Sequence, residues 1–312
     1  MKRLKKKGMF FTLITIIFLF VFLFYFQAHS YQKYTPKMSV IEHRVNTINE
    51  FIKDVERDIE RGLYISSFRS LLALDNYIIT TGEFLDDVNL SFNEALINGT
   101  VNGASINIMI GSTISSWINN IKNQALKQNI NVNIIPRNTV LYQKSPWTVT
   151  SGLNVSLFVS DGSGIASWNT SYYTEADVDI TGFEDPLYII NTYGRLTNVF
   201  NQTIYEDDYV NGNDVSNLLE HLNKSFYTAH NDSPSFLMRF ENNLNPSEYG
   251  IESLINLEEL VEQGIPIEEM SAVDYIYWSN ASANNYRINS TPGWFYLDDA
   301  HLEKYNVTGL SY

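Results

Sequence analysis

The chain holds five imidazoles, His29, His43, His221, His230 and His301, and no two of them fall at the H-x-x-x-H spacing that sets a pair of metal ligands on one helical face. The segment Asp298-Asp299-Ala300-His301-Leu302-Glu303 gathers three carboxylates and an imidazole into six positions, the densest local set of metal-ligating types. The two aspartates also stand where N-cap residues would open a short helix over 300–305, and capping accounts for them without an ion. Neither a metal nor another cofactor is expected. Asp207-Asp208 and the turn at Asp161 lack the alternating oxygen ligands and terminal glutamate of a calcium loop. No G-x-S-x-G elbow occurs, so Ser163, between Gly162 and Gly164, reads as a turn residue. Glycine loops that cradle phosphate are also missing. With no cysteine in the chain, thiolate ligands, disulfides and thiol nucleophiles are excluded together. A glycosidase-like pair among the 35 acidic residues would be spatial rather than sequential. An extracellular hydrolase acting on polysaccharide or peptide therefore stays open as the alternative, but no catalytic residue is assigned and the expected class is non-enzymatic.

The elements that would position these side chains are easier to read. Ile41, Val45, Ile48, Ile52, Val55 and Ile59 recur at steps of 4, 3, 4, 3 and 4, which sets six branched aliphatics on one helical stripe. Glu50 with Lys53, Asp54 with Arg57 and Asp58 with Arg61 are i,i+3 charge pairs on the other faces. Gly62 does not end this helix, because Leu63, Phe68, Leu71, Leu72 and Leu74 carry the apolar pattern on towards Gly82. A break or kink is expected upstream, at Pro36. Further helices are expected over 84–97 and 109–126, then the period switches to two. Trp147, Val149, Leu153, Val155, Leu157 and Val159 are apolar while Thr148, Thr150, Asn154, Ser156 and Ser160 alternate with them, which predicts one long half-buried strand or a strand pair around Gly152, and Ala176, Val178 and Ile180 predict another after the 161–164 turn. Beyond Asp214 the pattern predicts helices over 215–226 and 253–262 and strands over 236–240, 273–278 and 294–297. The aromatic cluster Tyr275, Tyr277, Trp278, Tyr286, Trp294, Phe295 and Tyr296 reads as core and strand filling, with a carbohydrate- or protein-contact surface as the alternative.

Ahead of all this lie Lys2, Arg3, Lys5, Lys6 and Lys7, followed after Gly8 by an uncharged apolar run from Met9 to Phe26. Eighteen helical residues span about 27 Å, enough for one crossing of a bilayer, and the basic flank predicts a cytoplasmic N-terminus with everything after about His29 outside. Removing these five basic residues leaves 16 against 35 acidic ones, a net of −19, which disfavours nucleic acid as a partner. Of 34 asparagines, ten begin an N-x-S/T triplet: Asn89, Asn98, Asn154, Asn169, Asn201, Asn223, Asn280, Asn289 and Asn306 are glycosylation candidates, and Asn231 sits in a poor context ahead of Ser233-Pro234.

Lys5-Lys6-Lys7-Gly8 followed by Met9-Phe10-Phe11-Thr12-Leu13 resembles a class III signal peptide, the leader of type IV pilins, archaeal pilin-like proteins and archaellins. That resemblance implies cleavage after Gly8, with Met9 as the new N-terminus, and a retained helix that anchors the subunit or packs in a filament. Leu13 stands where bacterial pilins carry glutamate, so the likeness is to the archaeal members. An uncleaved signal anchor is the other reading of the same residues.

The expectation is thus an α+β protein: a single N-terminal transmembrane helix, a long amphipathic stem helix, and an extracellular region of mixed helices and antiparallel strands. The divisions are 1–28 (tail and anchor), 29–82 (stem), 83–200 (α+β ectodomain) and 201–312 (a C-terminal α+β subdomain). The expected role is a structural or adhesive surface protein, pilin-like in plan, whose partners are the lipid bilayer and further copies or other surface or pilus subunits.

Overall fold

In the computed structural model, which describes the backbone of residues 6–279 and 284–312 and their side chains except at 6, 7, 9 and 29–37, the chain is α+β. Helix α1 (Lys6–Thr81) runs 76 residues without interruption, about 114 Å at 1.5 Å per residue. The break expected at Pro36 does not occur. Proline there lacks the N–H of one bond in the helix ladder, and the helix continues on both sides of it.

From Ile48 onward α1 is packed into the body. Ile48, Val55 and Ile59 are fully buried, Val45 and Ile52 half-buried, and only Ile41 at the upper end of the stripe is exposed. The three i,i+3 ion pairs form on the solvent side. Two helices lean on α1. The first, α2 (Val88–Asn98), is capped by Asp87, whose carboxylate accepts from the Leu90 N–H, and ends at Gly99 with φ 77°. A small ladder, β1 (Thr100–Val101) with β2 (Ala104–Ser105), and a 3-10 turn over Asn107–Met109 lead to α3 (Ile114–Lys127), capped by Thr113.

The main sheet is an antiparallel meander of β3 (Ile130–Ser145), β4 (Thr148–Asp161) and β5 (Ser167–Asp179), in the order β3-β4-β5. The alternation of β4 holds over its second half, where Val155, Leu157 and Val159 are buried beneath α1 and Asn154 and Phe158 face out, whereas in its first half Thr150 and Ser151 are buried along with Val149 and Leu153. Where the helix enters this body Arg44 clamps it. Its Nε donates to Asp161 Oδ1 at 2.6 Å, and its Nη2 reaches the carbonyls of Gln128 and Asn129 at 3.0 Å.

The rest is built of short pieces: α4 (Pro186–Asn191), α5 (Ser216–Asn223), β6 (Tyr227–Ala229), α6 (Phe236–Arg239), β7 (Ile251–Ser253), α7 (Leu257–Glu262), α8 (Asp274–Ser279), β8 (Asn285–Arg287), β9 (Tyr296–Asp298) and α9 (Asp299–Lys304). Strands β6 and β7 pair antiparallel, as do β8 and β9. Two expected strands are helices instead, at 236–240 and 273–278. Phe236-Leu237-Met238-Arg239-Phe240 buries side chains all round, so no period distinguishes the two states, and Asp274 opens α8 by accepting from the Tyr275 N–H. One apolar core runs from Ile48 on α1 through the main sheet to Phe200, Phe236 and Ile251, and a second gathers Tyr209, Leu218, Leu222, Phe295 and Tyr305.

Candidate functional site

Of the four ligand-type residues in 298–303, the fold turns Asp298 and His301 inward. Asp298 caps α9, accepting from the Ala300 N–H at 3.2 Å as the sequence suggests, while Asp299 and Glu303 stay at the surface. One turn into the helix, His301 is buried with its Nδ1 2.8 Å from the Asp298 carboxylate. Ser271 donates to the same carboxylate at 2.7 Å.

Two residues distant in sequence complete the cluster. β7 places Glu252 in the interior opposite Thr228 of β6, and the residue after β6 is His230, whose N–H donates to the Gly250 carbonyl. Gly250 is required there, since a Cβ on it would sit 2.3 Å from the His230 carbonyl oxygen. Glu252 Oε2 lies 2.7 Å from His230 Nδ1 and 3.2 Å from His301 Nε2, and Tyr305 donates to Oε1 at 2.9 Å. The ligand atoms of His230, Glu252 and His301 all lie within 4.8 Å of one another. Tyr275 Oη approaches His301 Nε2 at 3.4 Å, and the His230 side chain, 18% exposed, is the edge that reaches solvent.

The electrostatics follow from this geometry. Each ring nitrogen of His301 faces a carboxylate. Burial opposes a charge on the ring, but the hydrogen bonds to Asp298 and Glu252 outweigh it and push the His301 pKa up to about 10. Burial likewise opposes ionisation of Glu252, and the bonds to His230 and His301 nevertheless hold its carboxyl far below the usual range.

On the neighbouring side of β7 lies a second buried set. Ser253, pointing opposite to Glu252 as strand alternation requires, donates its N–H and Oγ to Asp274 Oδ2 at 3.1 and 2.9 Å. Arg239 Nη1 donates to Asp185 at 2.6 Å and Asp274 at 2.9 Å, and Nη2 to the Ile251 carbonyl. Arginine and both aspartates have no exposed surface, and the guanidinium lies 5.6 Å from the Tyr227 ring centroid and 5.9 Å from that of Phe200. This set joins α4, α6, α8 and β7, and its chemistry is that of a core ion triad.

No family model, curated protein or solved structure matches the chain. Its chemistry is therefore read from its own side chains.

Sequence reasoning reached Asp298 and His301 and missed His230 and Glu252. A signal existed: Glu252 is a lone acid in the run Ile251-Glu252-Ser253-Leu254-Ile255, and a carboxylate so placed must find a donor inside. The cleavage position Gly8 is exposed on α1, while the Met9 side chain and residues 1–5 lie outside the described residues. Asn89, Asn98, Asn154, Asn169, Asn201, Asn223, Asn289 and Asn306 are all exposed, as a glycan acceptor must be, and Asn280 lies outside the described residues.

Proposed function

We propose that the chain is a single-pass membrane protein whose α+β body is displayed outside the cell as a structural or adhesive element, pilin-like in plan and without enzymatic activity. The observation that carries this reading is the segment Phe10–Ala28, 19 residues of mean hydropathy 2.4 with none of it covered by the rest of the protein. Phe18, Phe22 and Phe24 are each more than 60% exposed, and a contiguous apolar surface of this size is not left to water. A bilayer covers it, or in an assembly the same segment of neighbouring copies.

The pilin-like part of the reading draws support from α1 itself. One helix carries the apolar segment at one end and packs its other half against a three-stranded antiparallel meander. The Lys5-Lys6-Lys7-Gly8 leader precedes that segment, and the exposed Asn-x-Ser/Thr sites suit display outside the cell.

Intact mass of the chain purified from native membranes tests this. A chain starting at Met9 is expected, and Gly8→Val is expected to leave the leader on. A full-length N-terminus in the wild type removes the pilin-like reading and leaves a signal anchor. Protection of the body from protease added to intact cells or spheroplasts removes outside display.

A further inference from the structure

Glu252 and Asp298 are two negative charges inside the protein, and among the described residues every ion pair they make is with an imidazole. With neutral rings these charges would stand uncompensated in low-dielectric surroundings, at a cost no fold sustains. Either protons on the imidazoles or a single dication must neutralise them.

The arrangement of the donors favours the dication. His230 Nδ1 and His301 Nε2 converge on one oxygen, Glu252 Oε2, and the three atoms need move by about 1 Å or less to reach metal bonds of about 2.0–2.2 Å. Behind each ligand on the buried side stands a group that fixes it. Asp298 holds His301 Nδ1, so Nε2 is the nitrogen turned to the centre, and Ser271 steadies Asp298 in turn. Tyr305 holds the second oxygen of Glu252. A carboxylate behind a ligating imidazole is the outer-shell partner that orients metal-bound histidine.

We propose that His230, Glu252 and His301 bind one divalent transition-metal ion, zinc by its ligand types, with a fourth position open to water on the solvent edge beside His230. Two nitrogens and one carboxylate oxygen suit zinc and its first-row neighbours, whereas magnesium and calcium call for all-oxygen sets. The ion ties β6, β7 and α9 together across sequence separations of 22 and 49 residues in a chain with no disulfide. Closing such loops is the stabilisation a structural metal supplies.

The full-length protein in detergent, stripped with a chelator and then titrated with zinc, tests this. One zinc per chain is expected, with a rise in melting temperature of about 5 °C at excess zinc and none with magnesium. X-ray absorption of the zinc-loaded protein should show two imidazoles in the coordination shell. His230→Gln keeps a hydrogen-bond donor for Glu252 but cannot carry a compensating charge, so it should lower metal-free melting and weaken zinc at least about 100-fold, and Asp298→Asn, still able to cap α9, should weaken zinc about 10- to 100-fold. Failure to bind zinc stoichiometrically, an equal response to magnesium, unchanged affinity in His230→Gln, or a coordination shell without imidazole would each overturn the site. Protonated imidazoles would then be what neutralises the two carboxylates. The absorption spectrum of the wild type decides even if a variant fails to fold.

Discussion

His221 illustrates how a single buried group makes the fold sensitive to acid. It has no exposed surface, lies edge-on to Tyr209 at 5.0 Å, and its ring makes one hydrogen bond, between Nδ1 and Thr203 Oγ1 at 3.0 Å, with Nε2 left without a partner. Burial depresses its pKa to about 3, with the negative charge of Glu252 pulling the other way and Lys304 adding to the depression. The folded pKa lies below the 6.5 of a free imidazole, so the stabilising contribution is complete above about pH 6.5 and is lost as pH falls towards 3. Between pH 7 and pH 5 that loss is about 2 kcal/mol. His221→Phe cannot titrate and keeps the ring contacts. Its urea-unfolding free energy should therefore fall by about 2 kcal/mol less than the wild type's over that interval. Equal losses in the two proteins would show that His221 does not titrate with folding.

At the scale of elements, one close approach joins α1 to α3. Gly62 faces the Trp117 indole so tightly that a Cβ added to it would sit 2.6 Å from the ring. In an isolated helix Gly→Ala gains about 1 kcal/mol. Here the rigid indole must move, and Gly62→Ala should instead lose about 1–2 kcal/mol by thermal or urea denaturation. In a Trp117→Ala background the sign should invert, and the same destabilisation in both backgrounds would refute the contact. Neither the contact nor its energy shows in the sequence, where Gly62 is only a glycine that fails to end a helix. What was legible there was local: the existence of α2 and α3, whose starts the pattern sets early, at 84 and 109, because the caps Asp87 and Thr113 go unread in it, the alternation in the second half of β4, and the stripe on α1. β3 was missed because the bulge between Pro136 and Thr139 breaks its period. The site was half legible for the same reason. Asp298 and His301 are one helical turn apart, whereas His230 and Glu252 join them only once β6 and β7 pair and α9 docks.

The whole molecule is organised by one helix that belongs to two environments. Its first part shows apolar side chains from Phe10 to Phe26 to the surroundings, and its second is the spine of the main core from Ile48 to Ile78. Arg44, tied to Asp161 and to the link between α3 and β3, marks the passage from one to the other. Among the described residues nothing in the main core comes from upstream of Ile48. A chain beginning at Met38 should therefore fold as a soluble monomer with a melting temperature close to that of the full protein in detergent. Within it, Ile48→Asp places a carboxylate where there is no exposed surface and should cost at least about 3 kcal/mol, a fall of about 6–12 °C in melting temperature. Ile41→Asp, on the same stripe but 46% exposed, should stay within about 2 °C of the parent. Equal sensitivity at the two positions, or aggregation of the shortened chain relieved by Ile41→Asp, would mean that the upper stripe is covered by another copy, and the helix would then be an assembly surface well beyond its apolar N-terminal segment.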